Sequence, residues 1–336
     1  MIKHLLLTAI VVFCLLPNSF SQNIIFVKQG AQGIGTSWEN ATGDLSYALD
    51  KAKPGTSIWI AEGIYFPTNC TSCTENDRSV SFLIPEGVKV IGGFKGNERR
   101  LGQRNWQKHP TRLSGNIGQP GPYDNSFTVV TTHAVTHKTV LDGLIIADGY
   151  ADADKPAGHP FRSGGGLFND GSGIGVLSNP TLRYCVFLNN FAKEGGAIFN
   201  DGSYGDASPD INDCTFTSNQ AIYGGGAIFN NGEHGNSNPN IAYTQFVNNE
   251  ATYGSGIFNT CSEKDTDPKV YNSTFANNKT QQGGCLFFLG LSEGPKMRTV
   301  TFVNNISDID EDISVMKAKV IPGGLMAEMP LDDGEY

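Results

Sequence analysis

The chain has 336 residues, of which 17% are charged and 10% aromatic, with 41 glycines and a net charge of −9. That mild acidity comes with no basic stripe able to track a phosphate backbone, which excludes nucleic acid as a natural partner. After residue 21 no segment is long and apolar enough to cross a bilayer as a helix.

Residues 1–21 read as a secretory signal. Lys3 gives a short basic start, residues 5–16 an apolar stretch, and Ser19-Phe20-Ser21 a small-x-small cleavage site. Cys14 is a poor lipoprotein cysteine because the bulky Phe13 precedes it. Losing Lys3 takes the net charge from −9 to −10, and the tail at 307–336, with eight acidic and two basic residues, accounts for −6 of it. The expected product is exported, with no transmembrane segment in the mature chain.

Residues 22–306 read as one continuous body, since no flexible linker divides them. A strand is expected at 24–27, then a short amphipathic helix at 44–52 (DLSYALDKA) ending at Pro54-Gly55. That helix is expected to cap the open end of the apolar column, as terminal units of solenoids must. Further strands are expected at 57–61, 79–84, 88–91, 127–131 and 139–146, interrupted by excursions at 94–112 and 148–162. Cys70 and Cys73 are the pair expected to be oxidised in an exported protein.

From 164 to 305 a unit of about thirty residues repeats five times. Its phenylalanines are Phe187, Phe216, Phe246, Phe275 and Phe302. Each has a proline seven residues earlier, an aliphatic residue five earlier, and an asparagine three later: Asn190, Asn219, Asn249, Asn278 and Asn305. Gly-rich strands precede the units: GGGLFN, GGAIFN, GGAIFN, SGIFN and the degenerate GGCLFF. Short runs of Ile, Phe, Thr and Val between Gly, Asn, Pro and Ser clusters argue for strands, and Gly-Gly pairs disfavour helices. The expected fold is all-β, a parallel β-helix. The phenylalanines, and Leu167, Ile198, Ile228, Ile257 and Leu286, should stack about 4.8 Å apart in continuous columns. The asparagines should form a hydrogen-bonded ladder at a turn, where Asn tolerates a left-handed backbone. Cys185 and Cys214 share one repeat position and read as small interior residues, and Cys261 and Cys285 as free thiols.

The segments GTSWENATGDLSYALDKAKPGTSIWIAEGIYFPT, GVKVIGGFKGNE, RNWQKHPTRLSGNIG and DNSFTVV resemble the N-terminal signature of secreted bacterial right-handed parallel β-helix proteins. LDGLIIADG with the GGAIFN and CTFTSN units resembles the body of that family. The paired GGAI and FxxN motifs also look like those of chlamydial polymorphic outer-membrane proteins, which are surface adhesins and autotransporters. The resemblance implies a right-handed coil of the pectate-lyase-like type. It is weak for activity, because fold does not imply function. Relatives of this shape include pectate lyases and polygalacturonases. The tail at 307–336 departs from the family, which often carries a sorting module or barrel there.

Two regions carry candidate sites. Asp148, Asp152 and Asp154 are oxygen donors of the kind that hold Ca²⁺, and His159, Arg162 and Lys155 are the candidate catalytic groups beside them. The bland reading of this stretch is a hydrated loop. Length variation falls between each strand asparagine and the next proline, so those loops should form one wall. It carries Asp170, Asp201, Tyr204, Asp206, Glu233 and His234, suited to a sugar chain or equally to a wet surface. His133 and His137 read as surface residues, and Trp38, Trp59 and Trp106 as packing residues. The functional expectation is a non-catalytic adhesin-like or glycan-interacting scaffold at the outer-membrane surface or outside the cell, with the periplasm as the alternative location. Its partner would be a polysaccharide or a host or cell-surface ligand, and no cofactor is required unless calcium binds. The alternative is a polysaccharide lyase or hydrolase, which would break the repeat to install converging polar groups.

Overall fold

The computed structural model describes residues 23–67, 77–261, 268–290, 295–309 and 311–316. The expected signal segment, the Cys70–Cys73 pair and most of the acidic tail lie outside them. Within them the chain winds as a right-handed parallel β-helix. Four sheets of nine, eight, five and eight strands run along it, every neighbouring pair parallel. One coil shows the plan. Thr181–Arg183 lies on the first face, Val186–Leu188 on the second, Phe191–Glu194 on the third and Ile198–Asp201 on the fourth. A loop at 202–209 then returns to Asp210–Asn212 on the first face of the next coil.

Each corner has a physical device. Between the first two faces the backbone turns left-handed at Gly143, Tyr184, Asp213, Tyr243, Asn272 and Thr299. Between the second and third it does so at Asn189, Ser218, Asn248, Asn277 and Asn304. The ladder asparagines were expected to adopt this conformation; instead the residue before each one does. That frees Asn190, Asn219, Asn249, Asn278 and Asn305 to point inward. Asn219 Nδ2 donates to Asn249 Oδ1 and to the Phe187 carbonyl, each at 3.0 Å, and the pattern repeats along the column. The third corner turns at Gly195 and its equivalents. A side chain there would need a left-handed φ of 63° and would also crowd Phe229 Cβ, 3.1 Å away.

The interior is the expected set of columns. The first-face aliphatics, the repeat phenylalanines and the Leu167–Leu286 series form one cluster with Cys185, Cys214 and Cys285. Phe187, Phe216, Phe246 and Phe275 stack at 4.4–4.9 Å. Each fully buried ring contributes roughly 1.5–3 kcal/mol by removal from water.

A second phenylalanine column sits outside this core. Phe168, Phe199, Phe229, Phe258 and Phe287 alternate with the interior residues of the fourth face, so they point outward, yet they are buried. A second asparagine ladder, Asn169, Asn200, Asn230 and Asn259, lines the inner side of the same strands. It stops where Phe288 occupies the next coil, and the Asn259 Nδ2 group is left buried with no partner.

At the N-terminal end a helix, Leu45–Lys51, closes the column. The Asp44 carboxylate accepts from the Tyr47 N–H at 3.1 Å, and Leu45, Ala48 and Leu49 enter the main core. Trp38 and Trp59 pack with Phe26 and Phe94 in a side cluster. The strand expected at 139–146 is split into Val140–Asp142 and Ile145–Ala147 by the left-handed Gly143. Short strands at Gly63–Tyr65, Thr111–Ser114 and Tyr150–Ala151 carried no sequence signal strong enough to foresee.

Candidate functional site

The loops returning from the fourth face to the first form a single wall, and the six wall residues lie together on it across three successive coils. Asp170 and Asp201 are in register on adjacent strands, followed by Asn231. Asp170 pairs with His133 at 2.8 Å, and its other oxygen accepts from Ser172 Oγ at 2.6 Å. Asp201 accepts from Ser203 Oγ at 2.7 Å and from Asn231 Nδ2 at 3.1 Å. Burial raises the Asp201 pKa above the usual carboxylate range against the Ser203 hydrogen bonds, and the charge of Asp170 adds to the rise. Tyr204 and His234 each sit at a left-handed φ and stack with centroids 4.8 Å apart. Glu233 lies 3.9 Å from His234 and accepts the Tyr204 N–H through its carbonyl. Asp206 bridges its neighbours through the backbone, with one carboxylate oxygen buried and unpartnered.

The 148–162 stretch is arranged differently. Its carboxylates are divided among three cations. Asp148 accepts from Arg112 and Ser114, both at 2.6 Å; Asp152 pairs with Arg78 at 2.7 Å; Asp154 lies exposed 3.8 Å from Lys193. Arg162 donates Nε and Nη2 to Oε1 of the fully buried Glu194 at 3.0 and 2.9 Å, and Nη1 to the Lys155 carbonyl. Glu194 Oε2 accepts from Ser163 Oγ at 2.7 Å. His159 Nδ1 accepts the Phe161 N–H, and its pKa is lowered by desolvation and then by Lys155. Arg162 therefore anchors the loop, while the Lys155 side chain is exposed. Among the described residues no three His, Cys, Asp or Glu side chains converge to hold a metal ion.

A third feature was not found from the sequence. The excursion between the first-face strand Lys89–Phe94 and the second-face strand Thr111–Ser114 brings Trp106 onto the first corner, where Gly143 has no side chain to oppose it. Trp106 stacks on Tyr184 with centroids 4.5 Å apart, and Arg104 lies over the indole at 5.2 Å. A groove of about 600 Å³ opens beside this pair, lined further by Asp213, Thr215, Tyr243 and Gln245. Below it Asp142, fully buried, joins Arg104 at 2.5 Å to Arg183 at 2.7 Å. Trp106 thus packs, as expected, on Tyr184, and its edge lines the groove. The signal available in sequence was the variable residue on a constant corner, Tyr184, Asp213 and Tyr243, which a repeat alignment discards.

The Chlamydia polymorphic membrane protein repeat matches residues 184–201 and 213–231, two successive coils of the regular region. No curated protein matches the chain. Among solved structures, the crystal structure of Escherichia coli ybhc aligns over 90% of this chain and 88% of that one, with 11% identity and a TM-score of 0.40. Among the described residues no helix is long and apolar enough to cross a membrane. The chain is a right-handed parallel β-helix repeat protein whose repeats resemble those of the chlamydial polymorphic membrane proteins.

Proposed function

We propose that this chain is an exported, surface-displayed β-helix that binds a glycan or another host- or cell-surface ligand without transforming it. The observation that carries the reading is the one-sided wall. Asp170, Asp201, Tyr204, Asp206, Glu233 and His234 are held side by side by a rigid scaffold, as binding surfaces usually are. The repeats like those of chlamydial polymorphic membrane proteins support display at an outer-membrane surface. In the 148–162 stretch, Arg162 is engaged with Glu194 and the three carboxylates with separate cations, which favours anchoring over proton transfer.

The test has two arms. Protease treatment of intact expressing cells should remove the chain from the surface. Purified chain should then retain a polysaccharide from a mixed acidic and neutral panel, with and without Ca²⁺, while releasing no new reducing ends and no unsaturated uronate. A response to Ca²⁺ would require Asp148, Asp152 and Asp154 to leave their Arg and Lys partners. Turnover abolished by His159→Ala would replace this reading with that of a polysaccharide lyase or hydrolase.

A further inference from the structure

The polar side chains of the wall and of the 148–162 loop largely satisfy one another. Those on the Trp106 groove do not. Among the described residues, the side chains of Asp213, Tyr243 and Gln245 make no hydrogen bond or ion pair within the chain, although Asp213 and Tyr243 share one corner column with Tyr184. The Tyr243 side chain is 62% exposed.

The spacing of this column defines a slot. Tyr184 and Tyr243 are two coils apart, about 9.6 Å at the usual strand separation. Trp106 covers one face of Tyr184 from the Gly143 side, so the other face is turned toward Asp213. The short Asp213 side chain leaves the intervening coil as a floor rather than a filler. A ring inserted between two tyrosines needs a contact of about 3.5–4.0 Å on each side. One ring fits and two do not.

The backbone makes the choice of tyrosine informative. From Gly143 onward this corner takes a left-handed φ in each coil; Gly143 and Asn272 meet it with residue types that tolerate it, and Thr299 takes it at the last coil. Tyr184 and Tyr243 take the same conformation at φ 52° with bulky side chains, an arrangement that costs of order 1–3 kcal/mol and clusters at ligand sites. Charge then narrows the ligand. Asp213 is the one acidic or basic side chain lining the groove, and on the flanking strand and excursion Arg104 and Arg183 both pair with Asp142. Two cations and two carboxylates leave the site neutral, which favours neither a uronate nor an ammonium group. Asp213, Thr215 and Gln245 offer acceptors and donors of the kind hydroxyl groups use.

We propose that the slot between Tyr184 and Tyr243 binds one uncharged pyranose unit of a glycan chain, with its faces on the two rings and its hydroxyls on Asp213 and Gln245. This rests on the binding-scaffold reading and adds a sugar contact at the first corner to those of the wall.

The experiment is titration of the full chain with cellotetraose, maltotetraose, mannotetraose, xylotetraose and chitotetraose, with tetragalacturonate as the charged control. It is followed by calorimetry and by tryptophan fluorescence. Trp38 and Trp59 are buried in a separate cluster and do not line the groove, so a fluorescence change on binding that Trp106→Phe abolishes reports Trp106. Tyr184→Gly and Tyr243→Gly suit the left-handed corner and should keep or raise the melting temperature. Each should weaken binding of a neutral tetrasaccharide by at least about tenfold. Asp213→Asn should weaken it too, and Ile222→Ala, on the exposed side of the third face, should leave it unchanged. Binding insensitive to both tyrosine substitutions but lost in Tyr204→Gly would overturn the slot and leave the scaffold reading intact. Binding of tetragalacturonate alone, or of none of the probes, would overturn the slot as well, while surface protease sensitivity and retention of another ligand would still stand for the scaffold.

Discussion

Arg162 places two guanidinium N–H groups on Oε1 of Glu194, a carboxylate with no solvent exposure, and so closes the 148–162 loop over the third face. Removing the cation strands a buried charge. Arg162→Ala is expected to cost about 3–5 kcal/mol, as broken buried pairs do. Glu194→Gln, which keeps one acceptor oxygen for Arg162, puts an N–H donor in place of the oxygen facing Ser163 and removes the charge, should cost less. Urea unfolding of the two variants checks the order. Equal losses would mean that the stranded carboxylate costs nothing beyond the lost pairing.

The asparagine column makes a second prediction. Asn219 donates to Asn249 and Phe187 and accepts from the backbone and side chain of Asn190, all in a buried corner. Asn219→Ala should destabilise by about 1–3 kcal/mol, the usual range for orphaned buried polar groups. Asn305→Ala, in a partly buried coil, should cost less. Chemical denaturation measures both.

Much of this was legible in the sequence because it repeats. A side chain needed in every coil leaves a periodic trace, so the Phe187 and Leu167 columns and the Asn190 ladder could be named from spacing. The left-handed position was assigned one residue late, because Asn190 is constant while its predecessor alternates among Asn189, Ser218 and Asn248. The outward Phe168 column is equally periodic, yet spacing does not say that an outward ring is buried. That depends on how the glycine corner folds back. The Trp106 groove was hidden for the opposite reason. Trp106 reaches Tyr184 from a non-repeating excursion, and Tyr184, Asp213 and Tyr243 share a position without sharing a residue type.

Asp201 gives a pH-dependent prediction. Its folded pKa lies above the unfolded value of about 3.9, so the folded chain holds more protons across that window. Stability contributed by this group therefore falls as pH rises through the window, and at neutral pH the ionised form is a cost. Asp201→Asn keeps an acceptor for Ser203 and extends the pattern of Asn231. It should raise the melting temperature at pH 7 by about 2 °C. The gain should shrink on acidification and vanish below the unfolded pKa. A pH series of thermal melts on both chains checks the sign.

The interior thiols should be inert. Cys185, Cys214, Cys261 and Cys285 are free and buried, and burial pushes Cys285 up to about 12 and Cys214 well above the ordinary thiol range. Iodoacetamide followed by peptide mass spectrometry should leave all four unmodified in the native chain and alkylate them in denaturant. Native labelling at Cys285 would mean that its coil opens readily.

The interruption of the inner amide ladder at Phe288 has a mechanical consequence. In a solenoid stretched along its axis, each boundary between coils bears the load through its strand pairs and its amide links acting together. Along the inner side of the fourth face those links join Asn169 to Asn200, Asn200 to Asn230 and Asn230 to Asn259, and the following boundary lacks one. Under tension that seam is expected to yield before the three linked boundaries that precede it, whose coils would move as one stiff block.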